Sequence, residues 1–450
     1  MTIFQRTAFA VALSLLLAGC VGERPTAGLD KVEHIVVVYM ENRSFDNLFG
    51  TFPGANGLAD AGAASIQVDR SGKRYPLLPQ PIDTSVRPPA PDRRFPADLA
   101  NGPFDIGKYV PLADKTGDLV HRFYQEQLQI DGGKMDKFAA WSDAAGLAMG
   151  HYDGSGTELW DYAERYVLAD NFFHAAFGGS FLNHFWLICA CTPRYAGAPN
   201  NIVARLGPNG ELVKDGAVTP DGYAVNTLQS QYMPHAAKAR PRNLLPPQDS
   251  VTIGDRLSEK GVSWAWYSGG WNDALAGHPD PLFQFHHQPF AYFRQFGDGT
   301  EARKEHLKDE TEMLAAIADG TLPAVAFYKP IGAENQHPGY TDVMTGDRKA
   351  VELLKAIEKS PIWPSTVVIL TYDENGGFWD HVPPPKGDRW GPGVRVPALI
   401  VSPLAKRGYV DHTQYDSTSI LKLIETRYGL KPLGSRDAAA NDLTNALRLK

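Results

Sequence analysis

The sequence is poor in cysteine, with three in 450 residues, at Cys20, Cys189 and Cys191. Apart from Cys20, which lies in the N-terminal segment described below, the two remaining cysteines are too few for a structural zinc site. Cys189 and Cys191 are separated by one residue, a spacing too short for an easy bridge within one strand. Although an exported protein can form a disulfide, we expect these two side chains to be buried free thiols.

The sequence also lacks a surplus of positive charge. Its formal net charge is −7 at pH 7, so no basic excess is present to displace the counterions of a nucleic-acid backbone. Hydrophobic residues make up 43% and charged residues 21% of the chain, which is typical of a globular protein. We therefore expect no nucleic-acid partner.

No apolar run in the chain reaches the ~18 residues that span a bilayer. One apolar run near the N-terminus covers residues 8–17 and comes shortly after the positively charged Arg6. It leads directly into the sequence Leu17-Ala18-Gly19-Cys20. This order is typical of a bacterial signal peptide that ends at a lipobox. We predict a signal peptide over residues 1–19, export to the periplasm or outer membrane, and membrane attachment through a lipidated Cys20. A plain signal peptide with an incidental cysteine is the alternative.

Five apolar runs rich in β-branched and aromatic residues are typical of strands buried on both faces of a parallel sheet. They lie at residues 34–40, 262–267, 324–328, 366–372 and 396–401. Helical patterns alternate with them, at residues 159–167, 310–317, 348–358 and 419–428. This alternation predicts an α/β fold with a largely parallel central sheet. Two stretches rich in proline, glycine and polar residues, near 76–103 and 207–250, are interpreted as surface insertions in one domain over residues 20–450.

Two of the predicted strands end in acidic and amide side chains. Glu41 and Asn42 follow the first run, and Asp373 and Glu374 follow the fourth. Because the carboxyl ends of parallel strands lie at one edge of a sheet, we expect the two pairs to meet. Glu41 and Asn42 alone would indicate an exposed turn, but both pairs together offer hard oxygen ligands for a divalent cation. That cation would offset the repulsion between the carboxylates.

A serine and several histidines complete the candidate site. Ser180 follows two glycines, which leave its hydroxyl unshielded, and a hydroxyl beside a metal can attack phosphorus. Ser180 also suits the N-cap of a helix, and the two roles are compatible. Histidines can donate to phosphoryl oxygens and protonate a leaving group near neutral pH. The candidates are His121, His286, His287 and His337.

Six motifs in order resemble the bacterial phosphoesterase family of acid phosphatases and non-haemolytic phospholipases C, which is distantly similar to the alkaline phosphatase superfamily. They are ENRSFDNLFG, DGGKMDKF, GGSFLNH, FHHQPF, NQHPGY and YDENGGFWDHVPPP. The resemblance implies a three-layer α/β sandwich of the alkaline-phosphatase type. It also implies hydrolysis of a phosphoric ester through a phosphoserine-type intermediate.

The resemblance also implies a role for each candidate residue. One divalent ion, which could be Mg, Ca, Mn or Zn, would be bound by Glu41, Asn42, Ser180, Asp373 and Glu374. Ser180 would be the nucleophile, and the four histidines would line the phosphate pocket. Asp380 and His381 belong to the last motif, and we expect them to orient the ligands rather than to take part in the reaction.

Three functions remain open from the sequence. The phospholipase branch often has threonine as nucleophile and further C-terminal domains, so GGSFLNH and the chain's end after residue 429 favour an acid phosphatase acting on a small phosphate ester. The alternative is a phospholipase C acting on a phospholipid headgroup. A lipoprotein that only binds an ion or phosphate is disfavoured, because binding needs no hydroxyl nucleophile. We expect the two insertions to determine the substrate.

Overall fold

The centre of the protein is an eight-stranded sheet, seen in a computed structural model that describes residues 27–449. The strands are β1 (His34–Met40), β2 (Ile82–Asp83), β3 (Ala90–Pro91), β4 (Phe104–Asp105), β5 (Gly150–His151), β6 (Val167–Ala169), β7 (Phe172–Phe173), β8 (Arg205–Leu206), β9 (Leu212–Lys214), β10 (Trp264–Ser268), β11 (Leu307–Asp309), β12 (Val325–Lys329), β13 (Thr366–Tyr372), β14 (Ala398–Val401), β15 (Tyr409–Asp411) and β16 (Tyr415–Asp416). The order in the large sheet is β11-β10-β12-β1-β13-β14-β6-β15. β14 pairs antiparallel with β13 and β6, and the other pairings in this sheet are parallel.

Helices cover both faces of the sheet. They are α1 (Phe45–Phe49), α2 (Phe123–Ile130), α3 (Phe138–Trp141), α4 (Glu158–Arg165), α5 (Ser180–Cys189), α6 (Ile253–Glu259), α7 (Trp271–Leu275), α8 (Glu301–His306), α9 (Glu310–Asp319), α10 (Val343–Lys359), α11 (Ser417–Tyr428) and α12 (Ser435–Ala439). One group packs α10 against α4 and α9, and another packs α5 against α6 and α11. β13 is buried along its whole length, as expected for a strand covered on both faces. The prediction of an α/β fold with a largely parallel sheet is confirmed.

The predicted strands agree closely with the observed ones. The runs at residues 34–40 and 366–372 are β1 and β13 without change, and the other three runs are β10, β12 and β14 shifted by one or two residues. The four predicted helices are α4, α9, α10 and α11, and α11 ends at Gly429 in the left-handed conformation (φ 62°). The antiparallel direction of β14 was not foreseen, because apolar content alone carries no information on strand direction.

The prediction of free thiols is wrong, because Cys189 and Cys191 form a disulfide. The spacing argument assumed an extended strand, whereas Cys189 is the last residue of α5 and Ala190 has a left-handed backbone (φ 46°). This turn brings the two Cα atoms to 5.1 Å, within the usual range for a bridge.

The signal peptide over residues 1–19 and the lipidated Cys20 lie outside the described residues and stay predictions. The division of the chain into this segment and one domain over residues 20–450 also stays a prediction. Between residues 27 and 449, no helix is both long and apolar enough to cross a bilayer.

Candidate active site

The acidic and amide residues that follow two strands meet at one edge of the sheet. β1 and β13 are parallel neighbours in a register that pairs Met40 with Tyr372, so the residues after each strand lie side by side. The backbone N–H of Asn42 donates to Asp373 Oδ1 at 3.1 Å. Glu41, Asn42, Asp373 and Glu374 have no solvent-exposed surface. The structure therefore brings together the two pairs that the sequence separates by more than 300 positions.

Backbone conformation keeps the two pairs in contact. Asn42 has a left-handed backbone (φ 62°), which turns the chain at the end of β1. Gly376 also has a positive φ, and a Cβ on it would lie 2.4 Å from the carbonyl oxygen of Asn42. Only glycine permits this close approach at such a φ, which explains the glycine after the second pair. The N–H of Gly376 in turn donates to Glu374 Oε2 and orients that carboxylate.

Ser180 lies beside this edge as the first residue of α5. Its Oγ donates to Glu41 Oε2 at 3.4 Å, and the residue is 6% exposed. The N-cap position belongs to Gly179, so the sequence interpretation of Ser180 as an N-cap is wrong by one residue. The preceding turn is fixed by Glu126 of α2, which accepts from the N–H of Gly178 and, at 2.9 Å, from that of Val394.

The four candidate histidines gather around Glu41 and Glu374. His287 Nε2 is 2.8 Å from Glu41 Oε1, and His337 Nε2 is 3.9 Å from Glu41 Oε2. His121 Nε2 is 3.8 Å from Glu374 Oε1, and the ring of His286 lies 4.7 Å from that of His287. All four line a cleft of about 330 Å³ whose walls also include Glu41 and Ser180.

Burial determines the charge of three of these histidines. It lowers the pKa of His286 and of His337 below the usual range. It also lowers the pKa of His287 to about 4, although the Glu41 carboxylate opposes this change. These imidazoles are therefore neutral at pH 7, and each carries one N–H. The N–H of His337 is on Nδ1, which faces the carbonyl oxygen of Pro338 at 2.6 Å, and the N–H of His287 is on Nε2, which faces Glu41. His286 is the one of the three whose N–H is directed to neither of these groups and can serve a ligand.

Two residues of the site were missed by sequence reasoning, Lys329 and His184. Lys329 ends β12, and its Nζ lies 2.6 Å from Glu41 Oε1. A lysine directly after the run at residues 324–328 was the signal that could have indicated it. His184 belongs to the quoted GGSFLNH motif; its Nδ1 contacts the Ser180 carbonyl oxygen at 2.7 Å, and its ring stacks on that of His287.

The residues present fit a divalent cation. Within the described chain, the buried atoms Asn42 Oδ1 and Glu374 Oε1 have no hydrogen-bond partner. Burial, reinforced by the neighbouring carboxylates, raises the pKa of Asp373 and of Glu374 well above their usual values. For Glu41, burial is outweighed by Lys329 and His287, so that its pKa is lowered. Unpaired oxygens and mutually repelling carboxylates are what a hard cation would satisfy.

Asp380 and His381 lie in a separate buried cluster rather than on the walls of the cleft. His381 Nδ1 is 2.7 Å from Asp46 Oδ2, and Arg395 contacts Asp46 Oδ1 and Asp380 Oδ1 at 3.0 Å each. Burial raises the pKa of Asp380 to about 6 despite the opposing charge of Arg395. Asp46 belongs to α1, which begins shortly after Asn42, so the cluster could orient the predicted metal ligand Asn42 through this helix. This role in orienting the ligands stays a prediction.

Comparisons with known proteins identify the family of the chain. The chain belongs to the Phosphoesterase family, whose sequence profile matches residues 32–431. It is similar to phospholipase C B of Mycobacterium tuberculosis, with 25% identity over 94% of this chain and 79% of that protein. It is also similar to a non-hemolytic phospholipase C of Burkholderia pseudomallei, with 26% identity over 90% of this chain and 56% of that protein.

Among solved structures, a protein of the alkaline phosphatase superfamily from Vibrio parahaemolyticus aligns over 73% of each chain, with 11% identity and a TM-score of 0.35. Murine ectonucleotide pyrophosphatase / phosphodiesterase 5 aligns over 62% of this chain and 91% of that one, with 9% identity and a TM-score of 0.35. The predicted family is confirmed by the profile, and the protein is a phosphoric ester hydrolase.

Proposed function

We propose that the protein is a phosphatase of the acid phosphatase type, which hydrolyses small phosphate monoesters through Ser180. The observation that carries this proposal is the position of the Ser180 hydroxyl. It lies against Glu41 in the same cleft that His121, His286 and His287 line. A hydroxyl at a helix N-terminus is well placed to attack an anionic phosphoryl group, because the helix end favours negative charge.

One divalent ion, Mg, Ca, Mn or Zn, completes the proposed site. Glu41, Asn42, Ser180, Asp373 and Glu374 would hold it. When bound, this ion supplies charge stabilisation for the phosphoryl oxygens and favours the ionised form of the hydroxyl.

The chain's own residues have separate tasks in this reaction. Glu41 orients the Ser180 hydroxyl, whose Oγ attacks phosphorus while the bond from phosphorus to the leaving oxygen breaks. The N–H of the neutral His286 binds a phosphoryl oxygen, and His287 and His337 line the phosphate pocket. His121 donates a proton to the leaving oxygen and then takes one from the water that hydrolyses the phosphoserine. We assign this task to His121 because its side chain is 18% exposed, more than those of His287 and His337.

Both insertions support a small and polar substrate, because both reach the open side of the cleft. Thr84 and Arg87 of the first insertion and Asn226 and Thr227 of the second line it. Both also fix the segment that carries His121. Thr84 Oγ1 donates to the carbonyl oxygen of Asp118, and Asn226 Oδ1 accepts from the N–H of Phe123 at 3.1 Å. These polar side chains offer hydrogen bonds to a hydrophilic leaving group.

Replacement of Ser180 by alanine tests the proposal directly. We expect Ser180→Ala to lower kcat on 4-nitrophenyl phosphate by about 10³-fold or more, because no covalent intermediate can form. The thermal unfolding temperature should stay near that of the wild type. Ser65→Ala is the matched control, since the Ser65 hydroxyl donates to Gly62 near the surface and should leave kcat unchanged. Full activity of Ser180→Ala would contradict the covalent mechanism.

A phospholipase C is the second candidate, because the relatives described above carry that name and one of them aligns with 94% of this chain. The two candidates differ in substrate. Phosphatidylcholine in mixed micelles, assayed for diacylglycerol, should be hydrolysed more slowly than 4-nitrophenyl phosphate by the phosphatase. The opposite order, or faster cleavage of bis(4-nitrophenyl) phosphate than of the monoester, would favour the phospholipase.

A further inference from the structure

Lys329 is a buried cation inside the carboxylate cluster. Its side chain has no solvent-exposed surface, and its Nζ lies 2.6 Å from Glu41 Oε1 and 3.5 Å from Asp373 Oδ2. The same ammonium donates to the carbonyl oxygen of Met40 at 3.0 Å. Lys329 ends β12, which pairs with β1, so the central sheet itself places this charge beside the end of β1.

The charges at this edge do not balance when all three acids are ionised. Glu41, Asp373 and Glu374 are three buried acids, and Lys329 supplies one positive charge against them. When all three acids are ionised, the group carries two negative charges, which matches one divalent ion. At the 2.6 Å separation of Nζ from Glu41 Oε1, the attraction between lysine and glutamate is strong, because both side chains are fully buried.

We propose that Lys329 is a positioning residue, a resident counter-ion that holds Glu41 and Asp373 in place in the metal-free protein and weakens divalent-ion binding. This inference rests on the proposed function for the identity of the ligands. Its physical reason is that the ammonium and the divalent ion compete for the same carboxylate oxygens. The lysine keeps the site assembled before the ion binds, and its positive charge repels the ion once bound.

A role in packing alone makes a different prediction. A buried side chain that only fills space stabilises the metal-free and metal-loaded proteins equally, so its loss lowers both unfolding temperatures by the same amount. Loss of a counter-ion lowers the unfolding temperature of the metal-free protein far more, because two carboxylates lose their partner. Since a ligand stabilises the folded state according to its affinity, the gap between the two temperatures also reports metal binding.

The test compares Lys329→Met with the wild type, because methionine retains the length of the side chain without its charge. Thermal unfolding is measured after chelation and again with Mn²⁺, and the Kd of Mn²⁺ is measured by calorimetry. We expect the gap between the two unfolding temperatures to widen and the Kd to fall about tenfold. Lys308→Met is the control, since Lys308 of β11, which β10 separates from β12 in the sheet, pairs with Glu312 of α9 and should change neither quantity. An unchanged gap or weaker Mn²⁺ binding in Lys329→Met would overturn the proposal.

A second variant decides the case if Lys329→Met does not fold without metal. Glu41→Gln in the same chain removes the nearer of the two carboxylates that lose their partner, so the double variant should recover folding after chelation. If the double variant also fails to fold, the lysine acts through packing and the proposal is overturned.

A wild-type protein that binds Mn²⁺ but hydrolyses no phosphate ester would contradict the proposed function alone, because the unfolding and calorimetric measurements do not depend on turnover.

Discussion

His121 differs from the other histidines of the cleft in its access to solvent and in its backbone. It belongs to an irregular segment between the two insertions, and its Nδ1 contacts the carbonyl oxygen of Leu119. That contact leaves Nε2 directed toward Glu374, at 3.8 Å from Oε1. His337, in contrast, is stacked on Tyr340 with ring centroids 3.8 Å apart. A proton donor for a departing alcohol needs the open position that His121 has.

At the scale of this residue, we expect His121→Ala to affect substrates according to their leaving group. For alkyl phosphates, whose leaving oxygen needs a proton, kcat should fall by about 10²–10³-fold. For 4-nitrophenyl phosphate, whose leaving group departs without one, the loss should be much smaller. The ratio of the two losses is the measurement. His412→Ala is the control, since His412 is 65% exposed and pairs with Asp170 instead. Equal losses on both substrates would contradict the role of His121 as the acid.

At the scale of elements, the junction of α11 and α12 contains a buried acid, Glu425. Burial and, after it, the adjacent Asp437 of α12 together raise the pKa of this carboxyl to about 8, although Lys422 of α11 opposes the increase. In the unfolded chain a glutamate has a pKa of about 4.3. Between these two values the unfolded state binds fewer protons than the folded state, so the stability of the protein falls as pH rises from about 5 to 8.

Glu425→Gln should remove this pH dependence, because the amide has the shape of the protonated acid and does not ionise. We expect the unfolding temperatures of variant and wild type to agree near pH 5 and the variant to be more stable at pH 8. The measurement is thermal unfolding across that range. A constant difference between the two proteins at all pH values would show that Glu425 does not titrate in this window. Glu164→Gln on α4, whose carboxylate accepts from Trp160, is a control at an exposed position on another helix.

At the scale of the whole molecule, Arg395 joins segments that are far apart in the sequence. Besides Asp46 and Asp380, its guanidinium donates to the carbonyl oxygens of Asn56 and Asp170, each at 2.7 Å. The side chain is fully buried, so these contacts are not screened by water. Arg395 therefore fixes α1, the loop after β13 and the end of β6 to one another, behind the cleft.

We expect Arg395→Met to lower the free energy of unfolding by about 3–5 kcal/mol, because two buried carboxylates, Asp46 and Asp380, lose the guanidinium that they share. Urea denaturation followed by tryptophan fluorescence measures this change. Arg407→Met is the control, since Arg407 stacks on Tyr166 at the surface and its loss should change the stability by less than about 0.5 kcal/mol. A similar small effect at Arg395 would show that the cluster contributes little to the stability of the fold.

Local sequence patterns were sufficient to predict the class of fold and the side chains of the candidate site. Apolar runs of strand length are buried in the core, because burial removes their side chains from water. Acids directly after two parallel strands lie at the same edge of the sheet, because the carboxyl ends of parallel strands meet there. From this rule alone, Glu41 and Asp373 were predicted to meet. The motifs added Ser180 and the histidines, all of which the fold brings to the same cleft.

The other groups at the site are known only from the way in which distant segments of the chain pack together. A lysine after a strand has no distinctive local pattern, so Lys329 became visible only when β12 was placed beside β1. The disulfide of Cys189 depends on a left-handed residue at the end of α5, which spacing does not encode. Asp380 is close to Glu374 in sequence, yet its partner Arg395 holds it in another cluster. Such contacts depend on long-range packing, whereas strand runs and motifs depend on neighbouring residues.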